Sequence, residues 1–146
     1  MIQRIQSIFL FLAGGASLGL FGLPFATTPK AIESSMIFGD ALYNVNDQVG
    51  LSVLFGLAGA LAIIAIFLFR NRGLQSKVSL SALILNIGGL VFALYYLTQN
   101  LTEAGKAAIE FALGATFPII AVFFCFLAYR FIKRDDKLVK SMDRLR

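Results

Sequence analysis

Four stretches without a single Asp, Glu, Lys or Arg divide this chain, and each is long enough to cross a bilayer. They cover residues 5–29, 48–69, 78–102 and 111–129, with 25, 22, 25 and 19 residues. A helix needs about 20 predominantly apolar residues to span a ~30 Å hydrocarbon core. None of the runs alternates apolar and polar residues with period two, so a transmembrane β-barrel does not fit. The reading is an all-α integral membrane protein, a single four-helix transmembrane domain over 1–146. Spans are expected near 5–25, 49–69, 78–97 and 109–131, with an external loop at 26–48 and a tail at 132–146.

Composition agrees with lipid as the solvent and removes much chemistry. Only 14% of residues are charged and 58% are hydrophobic, against about a quarter charged in soluble domains. There is no His, which excludes imidazole bases and most zinc or copper sites. One cysteine, Cys125, cannot form an internal disulfide or a CxxC pair. The sequence offers no Ser beside a base, no carboxylate pair in one pocket and no Gly-rich phosphate loop, so neither an enzyme nor a cofactor is expected. Ion-coupled transport needs ionisable groups in the bilayer. The nearest is Glu110 at the outer end of span 4, where a carboxylate reaches headgroup water.

Eleven of the 13 basic residues fall on one side of the four spans: Arg4, the group Arg70, Arg72 and Lys77, and seven from Arg130 onward. The positive-inside rule therefore places both termini in the cytoplasm. Tyr95, Tyr96 and Tyr129 lie at span ends, where interfacial aromatics belong. Span 1 reads as retained, because its apolar run exceeds a signal peptide's 7–15 residues and Pro24 spoils cleavage after Ala26.

The connections carry their own signals. In "RNRGLQSK" (70–77) Gly73 suits a helix end and Ser76 a helix cap. "TQNLTEAGKA" (98–107) links spans 3 and 4 outside. In "SSMIFGDALYNV" two short apolar runs flank Gly39-Asp40, which predicts a small β-hairpin rather than an irregular loop. In span 4, Pro118 should kink the helix by depriving Gly114 of its donor. Phe117, Phe123, Phe124 and Phe126 are expected to face lipid or a partner. The Gly pairs Gly14-Gly15 and Gly88-Gly89 fit either a duplication of helical hairpins or chance.

Packing candidates are Gly15 and Gly19 on span 1, Ser52, Gly56 and Ala60 on span 2, and Asn86 and Gly89 on span 3. Small residues at spacing four let membrane helices approach closely, within the chain or against another. Asn86 needs a hydrogen bond across helices; Ser17 lies at similar depth and Ala62 offers a close backbone. The opposing reading makes Asn86, Ser17 and Thr116 the lining of a path for a weakly polar or lipidic solute.

The tail "RFIKRDDKLVKSMDRLR" reads as a basic amphipathic helix burying Phe131, Leu138, Met142 and Leu145. Arg130, Lys133, Arg134, Lys137, Lys140 and Arg144 are then candidates for contact with anionic lipid headgroups or a protein partner. Asp135, Asp136 and Asp143 make the charge mixed and favour a protein. Beside a span, lipid is a nearer polyanion than nucleic acid.

Three segments together carry a resemblance: "MIQRIQSIFLFLA", "FLFRNRGLQSKV" and "DDKLVKSMDRLR". They resemble, over the whole chain, an uncharacterised family of small four-span inner-membrane proteins from Bacteroidetes-type bacteria, a domain of unknown function. The resemblance implies a four-helix bundle in a bacterial inner membrane and implies no activity or ligand. The topology is also similar to claudin-like tetraspans, a likeness of fold that transfers no function. The expected role is an accessory or assembly subunit among other inner-membrane proteins.

Overall fold

A computed structural model describes residues 2–32, 35–104 and 109–143. Four long helices dominate it: α1 (Ile2–Gly19), α2 (Val49–Phe67), α3 (Arg72–Ala104) and α4 (Phe117–Asp143). Each carries a segment long and apolar enough to cross a membrane. Helix α1 packs on α2 and α4, and α3 packs on the same two, so the helices form a ring in sequence order. One end of the bundle holds the α2–α3 turn and the basic continuation of α4. The other is capped by three two-residue strands, β1 (Ala26–Thr27), β2 (Leu42–Tyr43) and β3 (Glu110–Phe111), in the order β2-β1-β3.

Helix boundaries depart from the apolar runs wherever a cap or a proline decides them. Asn71 caps α3: the Leu74 amide donates to its Oδ1 at 3.1 Å and the Gln75 amide to its carbonyl at 2.9 Å. Gly73 and Ser76, expected as helix end and helix cap, therefore sit inside the first turns of α3. A side-chain cap two residues upstream outweighs the cost of one helical glycine. At its other end α3 runs through Thr98–Ala104, expected as a loop, and its 33 residues extend about 50 Å.

Span 4 begins later than its apolar run. Glu110 pairs with Thr27 in β3, and a 3₁₀ turn at Leu113–Thr116 leads into α4. Pro118 thus occupies the first turn of α4 and cannot kink it. A proline is tolerated there because the first amides of a helix have no partner within it.

The expected hairpin about Gly39-Asp40 is replaced by another pairing. A tight turn does close there, with the Ala41 amide donating to the Phe38 carbonyl at 3.1 Å. Yet β2 pairs with β1, in register Ala26↔Tyr43 and Thr27↔Leu42, and β1 pairs with β3 on its other side. The segment before Gly39 forms no strand, and Ile37 and Phe38 are both buried in the core with Tyr43. It instead folds under the cap, where Ser35 accepts the Phe38 amide at 3.3 Å and donates to Asn100 Oδ1 of α3 at 3.0 Å.

The core changes character along the bundle. Beneath the sheet it holds large side chains, Phe25, Phe38, Tyr43, Leu51, Phe55 and Leu97 among them. Midway it narrows to Ala13, Ala62, Ala82, Leu83 and Cys125. Helices in lipid gain nothing from hiding apolar surface and associate through close backbone packing.

Candidate functional site

Buried polar side chains fall on one line of α3: Gln75, Ser79, Asn86 and Asn100. Spacings of four, seven and fourteen residues return to the same helical face, and this face looks into the bundle. Across the core, α1 presents Gln6 and Ser17, also buried. Ser17 Oγ lies 2.9 Å from Asn86 Oδ1 and 2.9 Å from the Ala13 carbonyl. Its single proton serves one of them at a time. Asn86 Nδ2 donates to the Ala82 carbonyl at 3.1 Å and lies 3.6 Å from Cys125 Sγ. This seam joins α1, α3 and α4 at mid-bundle.

Toward the basic end the seam is less complete. Gln75 Nε2 donates to the Ala65 carbonyl at 3.0 Å, closing the end of α2. Gln6 Nε2 and Ser79 Oγ have no hydrogen-bond partner among the described residues. Thr116, the third residue of the expected solute path, is exposed and bonded to the Leu113 carbonyl. The three residues therefore do not converge. An apolar cleft of about 50 Å³ lies under the sheet instead, lined by Phe25, Tyr43, Leu90, Ala93, Phe111 and Pro118 among others.

Because Ser17 keeps the Ala13 carbonyl as an acceptor, losing the amide opposite should cost little. Asn86→Leu is expected to lower stability in detergent by about 1 kcal/mol, the usual worth of an interhelical hydrogen bond in a membrane. Thermal unfolding would measure it. A loss beyond about 3 kcal/mol would mean that the seam acts as one cooperative unit.

At the cap, the Tyr43 hydroxyl donates to the Ala93 carbonyl at 3.1 Å, tying β2 to α3. Burial raises the phenol's pKa well beyond its ordinary range, with Asp47 adding to the effect, so it remains a donor. Asp47 accepts the Asn44 amide at 2.6 Å in a capping box ahead of α2. Its carboxyl is raised, chiefly by burial, and this hydrogen bond partly opposes the shift. Ser52, one of the packing candidates, donates to the Val45 carbonyl at 3.0 Å in the same corner.

The small residues sort by direction. A Cβ on Gly19 would meet Phe117 at 3.1 Å, and one on Gly89 would meet the Phe55 ring at 2.8 Å. Gly56 has ordinary room, with Phe21 at 3.6 Å, whereas Gly15 has nothing within 4 Å and Ala60 is exposed. The close α1–α2 crossing is made by Gly14 and Gly59, each with the other's carbonyl oxygen 3.4 Å from its Cβ position. Sequence reasoning chose Gly15 because a glycine four residues away marked it; the helix is rotated by one residue. The paired glycines are also used in opposite order, Gly14 inward and Gly15 outward but Gly88 open and Gly89 inward. A parallel duplication would use them alike.

In α4 the inward line runs Ala121, Cys125, Ala128, Ile132, all buried, and continues to Asp135. Asp135 pairs with Arg72 of α3 at 3.4 Å, its side chain 13% exposed. The expected stripe on Phe131 and Leu138 is thus displaced: Ile132 is buried, Phe131 is half-buried against Phe9, and Leu138 is 47% exposed. Of the four span-4 phenylalanines, Phe123 and Phe126 are exposed, while Phe124 stacks on Phe9 at 5.9 Å and Phe117 covers Gly19. Arg130, Lys133, Arg134 and Lys137 are exposed on the opposite side of α4. Arg144 and Leu145 lie outside the described residues, as do the side chains of Lys140 and Met142.

Four membrane-length helices in a ring, packed through glycine and alanine at mid-depth, define a multi-pass integral membrane protein. Within that class the chain belongs to the family described as Domain of unknown function (DUF4293), whose profile matches residues 2–145. Comparison with curated proteins and with solved structures returned no significant match.

Proposed function

We propose that this protein is a non-enzymatic subunit that supports the assembly of a larger complex in a bacterial inner membrane, with both termini cytoplasmic. The observation that carries this reading is the set of glycines with open space around them. Gly15 and Gly22 have nothing within 4 Å of their Cβ positions, and neither does Gly88 on α3. Gly15 shares one face of α1 with the exposed side chains of Phe11 and Leu18, and Gly22 falls in the 3₁₀ turn that follows α1.

A helical glycine costs about 1 kcal/mol relative to alanine. Inside the bundle Gly14, Gly59 and Gly89 recover that cost in close contacts. On a surface that meets only lipid there is no such return, whereas a notch between large apolar side chains suits the helix of another chain. The orientation rests on the basic residues gathered at one end of the bundle.

Extraction in mild detergent followed by native mass measurement tests the reading. Complexes well above the 15.9 kDa chain mass, with the same neighbours recovered on crosslinking, are expected. Gly15→Leu should weaken that association by about 5- to 150-fold, since overpacking a fitted site costs about 1–3 kcal/mol, and should leave the bundle folded. A protein that stays monomeric and yields no recurrent neighbour would overturn the proposal.

A further inference from the structure

The charges of α4 are mixed in sequence and sorted in space. At 100° per residue, Arg130, Lys133, Arg134 and Lys137 fall within an arc of about 100°, and Asp135 and Asp136 lie outside it. Asp135 turns inward to Arg72 of α3, 3.4 Å away. Asp136 lines a separate groove beside the α2–α3 turn, with Phe69, Arg70 and Val139. The acids are thereby drawn to the bundle side, and the outer face is left basic.

That basic face continues directly from the lipid-exposed part of the helix. Phe126, 48% exposed, falls within the same arc one turn before Arg130. Tyr129 stands at the boundary, where the Lys133 ammonium donates to its hydroxyl at 3.1 Å and sits 5.4 Å from its ring centre. Together these residues line an open groove of about 480 Å³. All its lining residues belong to α4, with Phe126 and Tyr129 toward the apolar part of the helix and the four cations beyond them.

We propose that this groove binds the headgroup of an anionic phospholipid, its phosphate against Arg130, Lys133 and Lys137 and an acyl chain against Phe126. Charge complementarity favours an anion, and exposed Phe126 next to the cations suits an anion that carries an apolar chain. A lipid supplies both at the depth where the groove lies; an acidic soluble protein would leave Phe126 uncovered.

The test is native mass spectrometry of the full-length protein released from nanodiscs of equal phosphatidylglycerol and phosphatidylcholine. The wild-type protein should retain phosphatidylglycerol preferentially. The double variant Lys133→Gln with Lys137→Gln should lower the retained ratio by roughly 30-fold, at about fivefold per charge near an anionic surface. The control Arg70→Gln with Lys77→Gln, exposed residues at the same end of the bundle, should keep most of the preference. Wild-type selectivity should also fall as salt rises, because screening shortens the reach of exposed charges. An unchanged ratio in the Lys133/Lys137 variant, an equal loss in the control, or selectivity indifferent to salt would each overturn the proposal. So would recovery of an acidic protein on this face without lipid preference.

Discussion

Gly114→Ala should destabilise the protein by about 3 kcal/mol, the upper end of the usual cost of overpacking, although it adds a single methyl group. Gly114 lies in the 3₁₀ turn that starts α4, and it is buried against the chain entering β1. A Cβ there would collide with the Pro24 carbonyl, its carbon 2.7 Å away, and would stand 2.9 Å from the Leu23 carbonyl oxygen. These are backbone atoms and cannot rotate aside. The next residue, Phe25, donates its amide to the Tyr43 carbonyl at 2.7 Å and accepts the Ala112 amide at 3.0 Å. Moving Pro24 therefore strains both ladders of the sheet. Gly22→Ala is the matched control, since nothing lies within 4 Å of its Cβ position, and it should be neutral or slightly stabilising. Thermal unfolding in detergent compares the two. Equal midpoints would show that the cap yields at little cost and that the close crossing does not constrain the start of α4.

The second large effect is expected at mid-bundle. Gly59→Leu should cost about 3 kcal/mol, whereas Gly56→Leu, one turn away, should cost under about 1 kcal/mol. At Gly59 a Cβ meets Leu18 at 2.7 Å, with the Gly14 carbonyl oxygen behind it at 3.4 Å. Leu18 can turn away, but the α1 backbone cannot, so a leucine must separate α1 from α2. Gly56 looks onto the far end of the Phe21 ring at 3.6 Å, a side chain with room to move. Should Gly56→Leu prove the more damaging of the two, the close α1–α2 crossing would not run through Gly59.

These two glycines show where sequence reasoning reaches its limit. That small residues would mediate helix contacts in lipid follows from chemistry alone. Which glycine of an adjacent pair faces inward does not, because one residue is a 100° turn and every side of a membrane helix is apolar. In a soluble helix the polar face would have settled the matter. Here α2 has no polar face, whereas α3 carries its own inward line of polar residues, Gln75, Ser79, Asn86 and Asn100. The same gap displaced the reading of the tail. Phe131 and Leu138 stand out as apolar, but the bundle's inward line passes through Ile132 and Asp135, and a charge at a core position hides it.

The cap was least legible. Its strands are two residues long, and β1 finds β2 and β3 across long stretches of chain. No local pattern announces pairings of that kind. The Gly39-Asp40 turn was visible, but whether Phe38 would pair or be buried depended on the core it shares with Tyr43 and Leu97.

What the residues determined without a structure is whatever the solvent imposes. Four uncharged runs must become helices because a bilayer leaves no backbone amide unpaired, and the gathering of cations at one end is a property of the sequence itself. What only the tertiary structure decided is everything that depends on rotation and on distant partners. It turned Gly14 rather than Gly15 to the α1–α2 crossing, moved Pro118 into a harmless first turn, and drew Asp135 to Arg72. With Asp135 turned inward, the outer face of α4 carries Arg130, Lys133, Arg134 and Lys137. Lipid acts equally on every side of an apolar helix, so helix azimuth is set by contacts between helices, and those contacts exist only once the chain has folded.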